Sequence, residues 1–449
     1  MTAPARTAAY HAVRAITAAR SDLPTALHAS REHLRDDRDR SLAAEIVTGT
    51  LRWQRSLDHL IEHYSKRRIG RLDPEVVAIL RLSLYQLLHL DRVPASAVVD
   101  DAVDLTRAAR KPSASGFVNA VLRATLRQKH KLPLPGRPED TADRDAALAY
   151  LGVTHSHPDW LVARWLDRYG FEATERWVRF NNETPPLTVR VNRLRATREQ
   201  AVAALAADDV ETQPTRYAPD GLVITSGNPL RRPADGLVFV QDEASQLVPM
   251  VAAVLPNERV LDLCASPGGK TIAMAADMEE TGTLVASDVR PRRLALLRDT
   301  VRVSGARSVN VVRVPTDGPL PFGARFDAVL VDAPCSGLGT IRRDPDIRWR
   351  RREDDLPSLA RDQVALLMRA ADVVRPGGRL VYATCSSEPE ENDGVIAAFV
   401  AARADFRLAD PAATARPVVA RFIDPDGFFR TTPPAHGLEA FFAALLIRA

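Results

Sequence analysis

Apolar residues recur at helical spacing through the first 130 residues. Val76, Val77, Leu80, Leu84, Leu87 and Leu88 share one face, and Phe117, Val118, Val121, Leu122 and Leu126 share another. Asp73-Pro74-Glu75 opens the first of these helices, with Asp73 as N-cap and Pro74 at the first helical position, where its missing N–H is no loss. The periodicity stops after residue 130. Prolines and mixed charge in KLPLPGRPEDTADRDAALAY predict a linker, placed over residues 131–154. Helical spacing returns over His157–Arg168 and Phe171–Phe180. A strand-like Leu187–Val191, a helix over Thr197–Ala206 and strand-like Glu211–Tyr217 and Leu222–Thr225 follow, so residues 155–235 predict a small α+β extension.

From Gly236 to the end, over 236–449, strand and helix alternate. The strand runs are Leu237–Val240, Arg259–Leu263, Thr283–Ser287, Val309–Val314, Phe326–Val331 and Arg379–Ala383, and the last two helices are Leu356–Val374 and Pro389–Ala402. This alternation predicts a doubly wound α/β domain, whose ligands sit at the carboxyl ends of the strands.

One stretch stands out within it. Val260–Thr271, VLDLCASPGGKT, runs from a buried strand into a glycine turn and then a helix. Glycines let the backbone approach a ligand, and the free N–H groups of the helix start face it. Two ligand classes compete. A Walker A phosphate loop needs a glycine at position 264, where Cys264 stands, although Gly269, Lys270 and Thr271 fit its remainder and Ala328–Asp332 resembles a Walker B strand. An adenosyl ligand fits better, because Asp288 ends the next strand 19 residues beyond Gly269, close to the offset at which a carboxylate meets a ribose diol.

Composition adds bounds. The 449 residues are too many for one core, and 45% hydrophobic with 26% charged residues describes a globular chain of two or three domains. No run approaches the roughly 18 apolar residues of a membrane span, and the alanine- and arginine-rich start has no apolar signal-peptide core, so a cytoplasmic protein is expected. Three cysteines exclude a disulfide framework, and no Cys/His cluster suggests a metal; His155-Ser-His157 is the nearest approach. The net charge of +4 is uneven: residues 1–130 hold 21 Lys+Arg against 14 Asp+Glu. A solvated helical bundle and an RNA-binding module both accommodate that excess.

The cysteines change the picture more. Cys264, Cys335 and Cys385 all fall in loops after strands of one sheet, together with Asp288, Asp317 and Asp332. A cysteine is usually a small buried hydrophobe, but independent buried cysteines would not distribute this way. Asp332-Ala-Pro-Cys335 and Thr384-Cys385-Ser386 fall on neighbouring strand ends if the strands pair in the usual order. Ser387-Glu388-Pro389-Glu390 reads as a capping box, which would set Cys385 near a helix N-terminus.

LDLCASPGGKT, VDAPCSGLGTIRRDPDIRW and YATCSSEPEEN resemble the motifs of the S-adenosylmethionine-dependent RNA 5-methylcytosine methyltransferases. RLSLYQLLHLDRVPASAVVDDAV and GFVNAVLRA resemble the NusB-like domain, and the pairing is similar to the Sun/Fmu/RsmB group acting on 16S ribosomal RNA. The resemblance spans nearly the whole chain. It implies a multidomain protein: an all-α NusB-like bundle, a small α+β RNA-binding extension and a Rossmann-like, class I methyltransferase domain. It gives S-adenosylmethionine to Cys264, Ala265, Ser266, Pro267, Gly268, Gly269 and Lys270, puts Asp288 on the ribose and Asp317 near the adenine, and faces Asp332 toward both cofactor and base. It makes Cys385 the nucleophile and Cys335 the group that releases the adduct. A monomer is expected, with RNA as its partner and no metal. Two positions depart from the family pattern: Ser266 stands where alanine is common, and the repeat expected after Asp426-Gly427-Phe428-Phe429 reads Leu438-Glu439-Ala440-Phe441-Phe442.

The implied chemistry explains the residue types. Carbon 5 of cytosine is too weak a nucleophile to take a methyl group unaided, so a thiolate must first add at carbon 6. An acid near N3, assigned to Asp332 protonated or sharing a proton with the base, stabilises the charge that develops on the ring. The target base must be unpaired or flipped out. Arg342, Arg343, Arg348, Arg350, Arg351 and Arg352 surround Trp349 directly after the Cys335 loop. The run predicts RNA contacts, with arginines on phosphates and Trp349 as a stacking platform. A transfer RNA substrate, a DNA cytosine methyltransferase with the thiol roles exchanged, and a non-catalytic NusB-like RNA binder remain the alternatives.

Overall fold

The computed structural model describes residues 2–229, 236–411 and 416–449. The chain divides into two compact units, Met1–Thr184 with Ile341–Glu353, and Pro185–Thr340 with Asp354–Ala449.

The first unit is helical. Pro74–His89 is its central helix, buried on nearly every side through residues such as Ile79, Leu80, Leu84 and Tyr85. Asp37–Arg52, Gln54–Ser65, Ala95–Ala108 and Ser115–Arg127 contribute Val47, Leu60, Val99 and Val121 to the same core. Pro74 does open the central helix, but the Asp73 side chain makes no capping hydrogen bond and pairs instead with Lys111 at 3.0 Å. The expected linker is not free-running. Leu132 and Leu134 pack on the helical core, and Arg144–Ala149 with Tyr150–Thr154 form helical turns. Asp159–Asn182 is one helical element broken at Gly170, where φ is 74°, which reproduces the two expected helices. It packs within the helical unit, with Trp165 stacked on Trp177 at 4.9 Å.

The second unit contains two sheets. The smaller is antiparallel, in the order β2-β3-β1-β4, from β1 (Thr188–Val191), β2 (Glu211–Pro214), β3 (Gly221–Ser226) and β4 (Val238–Val240). Helix Arg198–Ala207, closed by a Thr197/Gln200 capping box, covers it through Ala201 and Leu205. The run read as the first strand of the parallel sheet is therefore β4, paired with β1. The domain boundary expected at 235/236 touches residues outside those described.

The larger sheet is built from β5 (Arg259–Asp262), β6 (Thr283–Asp288), β7 (Val309–Arg313), β8 (Phe326–Asp332), β9 (Val374–Thr384), β10 (Phe406–Ala409), β11 (Phe429–Thr431) and β12 (Phe441–Arg448). Its order is β10-β12-β9-β8-β5-β6-β7, with β11 beside β12. Strands β5 to β9 are parallel, and β12 runs antiparallel to β9, so the sheet is mixed. β12 is buried on both faces from Phe441 to Leu446, which is why it reads as a continuous apolar run. The chain winds outward from β5 in one direction and from β8 in the other. The crevice this reversal opens lies at the carboxyl ends of β5 and β8.

Candidate active site

The loop leaving β5 turns at Gly268, whose φ of 110° suits glycine; a Cβ there would come within 2.9 Å of Leu297. Helix Gly269–Asp277 follows at once. Its first turn is tied back to the strand: Thr271 Oγ1 donates to Asp262 Oδ2 at 2.6 Å. Asp262 Oδ1 is buried with no hydrogen-bond partner, and burial pushes this carboxyl up to about 7 against the opposing Thr271 hydrogen bond. Lys270 Nζ donates to Asp332 Oδ2 at 2.7 Å, joining the helix start to the end of β8. Burial works against the ammonium, yet Asp332 beside it and Cys385 nearby outweigh that cost and leave its pKa above the ordinary value. Asp332, expected as the acid near N3, is half of an ion pair.

A cavity of about 250 Å³ occupies the crevice, lined by Cys264, Ala265, Ser266, Pro267, Gly269, Lys270 and Asp332 from the sequence-derived set. Gly268, Asp288 and Asp317 are not among its lining residues. Asp288 ends β6, almost fully buried, accepting from Arg290 N at 3.1 Å, and Asp317 is exposed in the turn after β7. Burial pushes the Cys264 thiol well above its ordinary range, so it serves as a lining group and not as a nucleophile.

Several lining groups were not read from the sequence. Gln241, Asp242 and Ser245 come from the segment after β4, and Phe441 from β12, with its ring centroid 5.9 Å from Lys270 Nζ. Arg190 of β1, fully buried, donates from Nε to Gln241 Oε1 at 2.7 Å and from Nη2 to Gly269 O at 2.8 Å. Burial lowers its pKa to about 10. The small sheet thus clamps the glycine loop. The one local signal was Asp242, whose carboxylate caps helix Glu243–Val251.

The remaining cysteines meet. Cys335, after β8, and Cys385, after β9, hold their sulfurs 3.1 Å apart on adjacent strand ends, and Gly339 N donates to Cys385 O at 2.9 Å. The hydrogen bond with Cys385 and burial push the Cys335 thiol well up. The helix N-terminus expected beside Cys385 is absent there. Ser387 Oγ donates to Glu388 Oε1 at 2.9 Å, the chain makes a short turn at Pro389–Glu391, and the α-helix begins only at Asp393.

The arginine run also departs from expectation. Ile341–Glu353 packs within the helical unit. Arg348 is fully buried, donating from Nη1 to Ser156 O at 2.8 Å and Asn182 Oδ1 at 3.0 Å, and from Nη2 to Asn181 O at 3.2 Å. Trp349 Nε1 donates to Leu51 O at 2.6 Å, and the nearly buried Arg342 lies 4.2 Å over the Phe180 ring. Arg348, with no exposed surface, is an interior anchor and offers no surface to RNA; Arg342 is nearly buried and Trp349 is half-buried. Arg343 is half-buried, Arg350 pairs with Asp346 at 2.9 Å, and Arg352 is exposed. His157, buried in the same region, takes Asn181 at one ring nitrogen and His155 O at the other.

A strand order that reverses at a glycine loop, with antiparallel β12 inserted between β9 and the edge strand β10, defines a Rossmann-like methyltransferase domain, here joined to a NusB-like helical domain. Residues 249–447 match the family described as 16S rRNA methyltransferase RsmB/F, residues 3–127 the NusB family and residues 157–231 the ferredoxin-like domain of RsmF/B-like methyltransferases. The chain is 35% identical over 445 residues to ribosomal RNA small subunit methyltransferase B of Pseudomonas putida, covering 94% of this chain and 97% of that one. It is 33% identical over 410 residues to the Bacillus subtilis protein named "Probable ribosomal RNA small subunit methyltransferase B", covering 90% of each. The crystal structure of PH0851 superposes over 99% of both chains with a TM-score of 0.80 and 28% identity. The chain belongs to the RsmB/F family of 16S rRNA methyltransferases. No described helix is long and apolar enough to cross a membrane.

Proposed function

We propose that this protein transfers a methyl group from S-adenosylmethionine to carbon 5 of a cytidine in 16S ribosomal RNA. The observation that carries the reading is the 3.1 Å pairing of Cys335 with Cys385 on strand ends next to the Lys270–Asp332 ion pair. The crevice suits such a cofactor. Asp262 offers an unpartnered buried carboxylate oxygen to a cationic ligand, and the absent Cβ of Gly268 keeps the loop backbone tightly turned. Bound there, S-adenosylmethionine supplies an electrophilic methyl group.

The chain's own residues do the rest. Cys385, as thiolate, adds to carbon 6 of the cytosine and makes carbon 5 nucleophilic. The Lys270–Asp332 pair holds the proton that neutralises charge developing at N3. Cys335, kept protonated, hydrogen-bonds Cys385 through its S–H; after methyl transfer it passes that proton to the Cys385 sulfur as the Cys385–carbon 6 bond breaks and, directly or through an ordered water, takes the carbon 5 proton in its place, while the N3 proton returns to the Lys270–Asp332 pair. Asp288 and Asp317 are proposed as contacts to the ribose and adenine, and the basic front domain as an RNA grip.

The test is to incubate the protein with 16S rRNA and methyl-labelled S-adenosylmethionine and map products by bisulfite sequencing. A single protected cytidine is expected. Label on a ribose, on an exocyclic nitrogen, or only on transfer RNA would overturn the reading.

A further inference from the structure

Glu391 is fully buried in the short turn Pro389–Glu391, at neither the cofactor cavity nor a surface. Its carboxylate reaches both cysteine loops. Oε1 accepts from Ser336 N at 2.7 Å, the residue after Cys335, and from Gln363 Nε2 at 2.9 Å. Oε2 accepts from Ser386 Oγ, the residue after Cys385. The two serines also bond each other at 3.1 Å. The Glu391 carbonyl accepts from Tyr382 OH at 2.7 Å within β9, and Asn392 repeats the pattern one residue on, donating to Ser386 O at 3.0 Å and accepting from Thr384 Oγ1.

We infer that Glu391 is a positioning residue that locks the two cysteine loops in register and assigns the thiols their separate roles. This role rests on the proposed reading of Cys385 as nucleophile and deepens it. Two loops on separate strands have no covalent reason to bring sulfurs to 3.1 Å; a carboxylate that accepts from the residue following each cysteine supplies one. Its charge also bears on Cys335. The hydrogen bond with Cys385 and burial do most to hold Cys335 as a thiol, and Glu391 is among the groups that add to them. A buried carboxylate held by three donors is rigid, so the register of the two loops is built in and needs no substrate.

Glu391→Gln removes the charge and forces one amide N–H₂ toward existing donors, whereas Glu391→Asp keeps the charge and retracts it by one methylene. Alkylation of the full-length protein with iodoacetamide, followed by peptide mass spectrometry across a pH series, reads both thiols without RNA. In wild type, Cys385 should be labelled first. In Glu391→Gln the Cys335 labelling midpoint should fall by about one pH unit, a roughly tenfold gain in its rate near neutrality. Methyl transfer should lose about tenfold or more in kcat with the KM for S-adenosylmethionine unchanged, and Glu391→Asp should restore the labelling order.

Should Glu391→Gln not fold, Ser386→Ala, which deletes one of the three hydrogen bonds, serves in its place and should shift labelling in the same direction by less. Unchanged labelling order and kcat in a folded variant would overturn the inference, as would equal losses of kcat and cofactor affinity. A wild type without methylation activity would sink the functional reading alone, since the labelling order still tests Glu391.

Discussion

Lys270 Nζ stands 2.7 Å from Asp332 Oδ2, so the first turn of the helix after the glycine loop is bonded to the end of β8 across the point where the strand order reverses. Lys270→Met should leave the fold intact but remove the transferable proton. Single-turnover methyl transfer is expected to slow by about 10²-fold or more, the usual scale for a general acid. Binding of cofactor measured calorimetrically should change far less. A variant with wild-type single-turnover rate would exclude Lys270 from proton delivery.

The two thiols should separate cleanly. Cys385→Ala is expected to lose both methylation and any covalent protein–RNA adduct, since no other group stands ready to add to carbon 6. Cys335→Ala should still form the adduct but fail to release it, giving a slow-migrating band on a denaturing gel after incubation with RNA and S-adenosylmethionine. The opposite pattern would mean that the roles are exchanged, as in the DNA cytosine enzymes.

Asp262 sets a pH dependence for the cavity. Burial raises its carboxyl to about 7, so it is neutral below that pH and charged above it. A cationic ligand prefers the charged form. Affinity for S-adenosylmethionine should therefore rise between about pH 6 and pH 8, with proton release visible as buffer-dependent calorimetric heats. The ligand-free protein should show the converse: a folded-state pKa above the unfolded one contributes stability that is present at low pH and lost as pH rises through 7. Asp262→Asn should flatten both profiles, and an unchanged profile would refute the assignment.

Arg348 should matter to stability and not to RNA affinity directly. Its guanidinium satisfies Ser156 O, Asn181 O and Asn182 Oδ1, and leaving buried acceptors unpaired costs roughly 1–3 kcal/mol each. Arg348→Ala is expected to lower the thermal midpoint of the helical unit by many degrees. A chain beginning at residue 151 should fare worse, because it removes Leu51 and leaves Ile341–Glu353 without the carbonyl that Trp349 binds. Exposure of that segment should show as aggregation in size-exclusion chromatography. A stable Arg348→Ala protein with a changed salt slope for RNA would restore the surface reading.

Acid should weaken the same unit. His157 is fully buried, and burial, then Arg348 nearby, hold its pKa well below the ordinary value; burial holds His155 at about 4. A depressed histidine contributes stability that is present above its unfolded pKa and lost as pH falls through the folded one. The helical unit should thus lose stability between about pH 6.5 and pH 4, and His155→Gln should reduce that slope in acid-melting curves.

Much of this molecule was legible along the chain. The glycine loop, the central front helix, five parallel strands and the placement of the cysteines at strand ends follow from local rules: a period of 3.6 or an unbroken apolar run, a turn residue, a cap. Those rules act over a few residues, and the backbone obeys them wherever the segment ends up. The same rules misplaced Leu237–Val240, because a three-residue apolar run does not reveal which sheet will pair with it, and they put a helix start beside Cys385 where Glu388 and Glu391 instead turn inward.

Tertiary structure alone decided which charges face water. Arg342, Arg348 and Trp349 form a basic, aromatic run that reads as a nucleic-acid surface, yet carbonyl oxygens left over at helix and turn ends offset the cost of burying Arg348, and neighbours distant in sequence cover it. The pairing of Lys270 with Asp332, the arrival of Gln241 and Phe441 at the cavity, and the reach of Glu391 to both cysteine loops likewise depend on elements up to a few hundred residues apart being brought together. Composition and spacing specify which groups a chain possesses. Only packing, by excluding water and supplying partners, specifies which of them become anchors and which remain free to react.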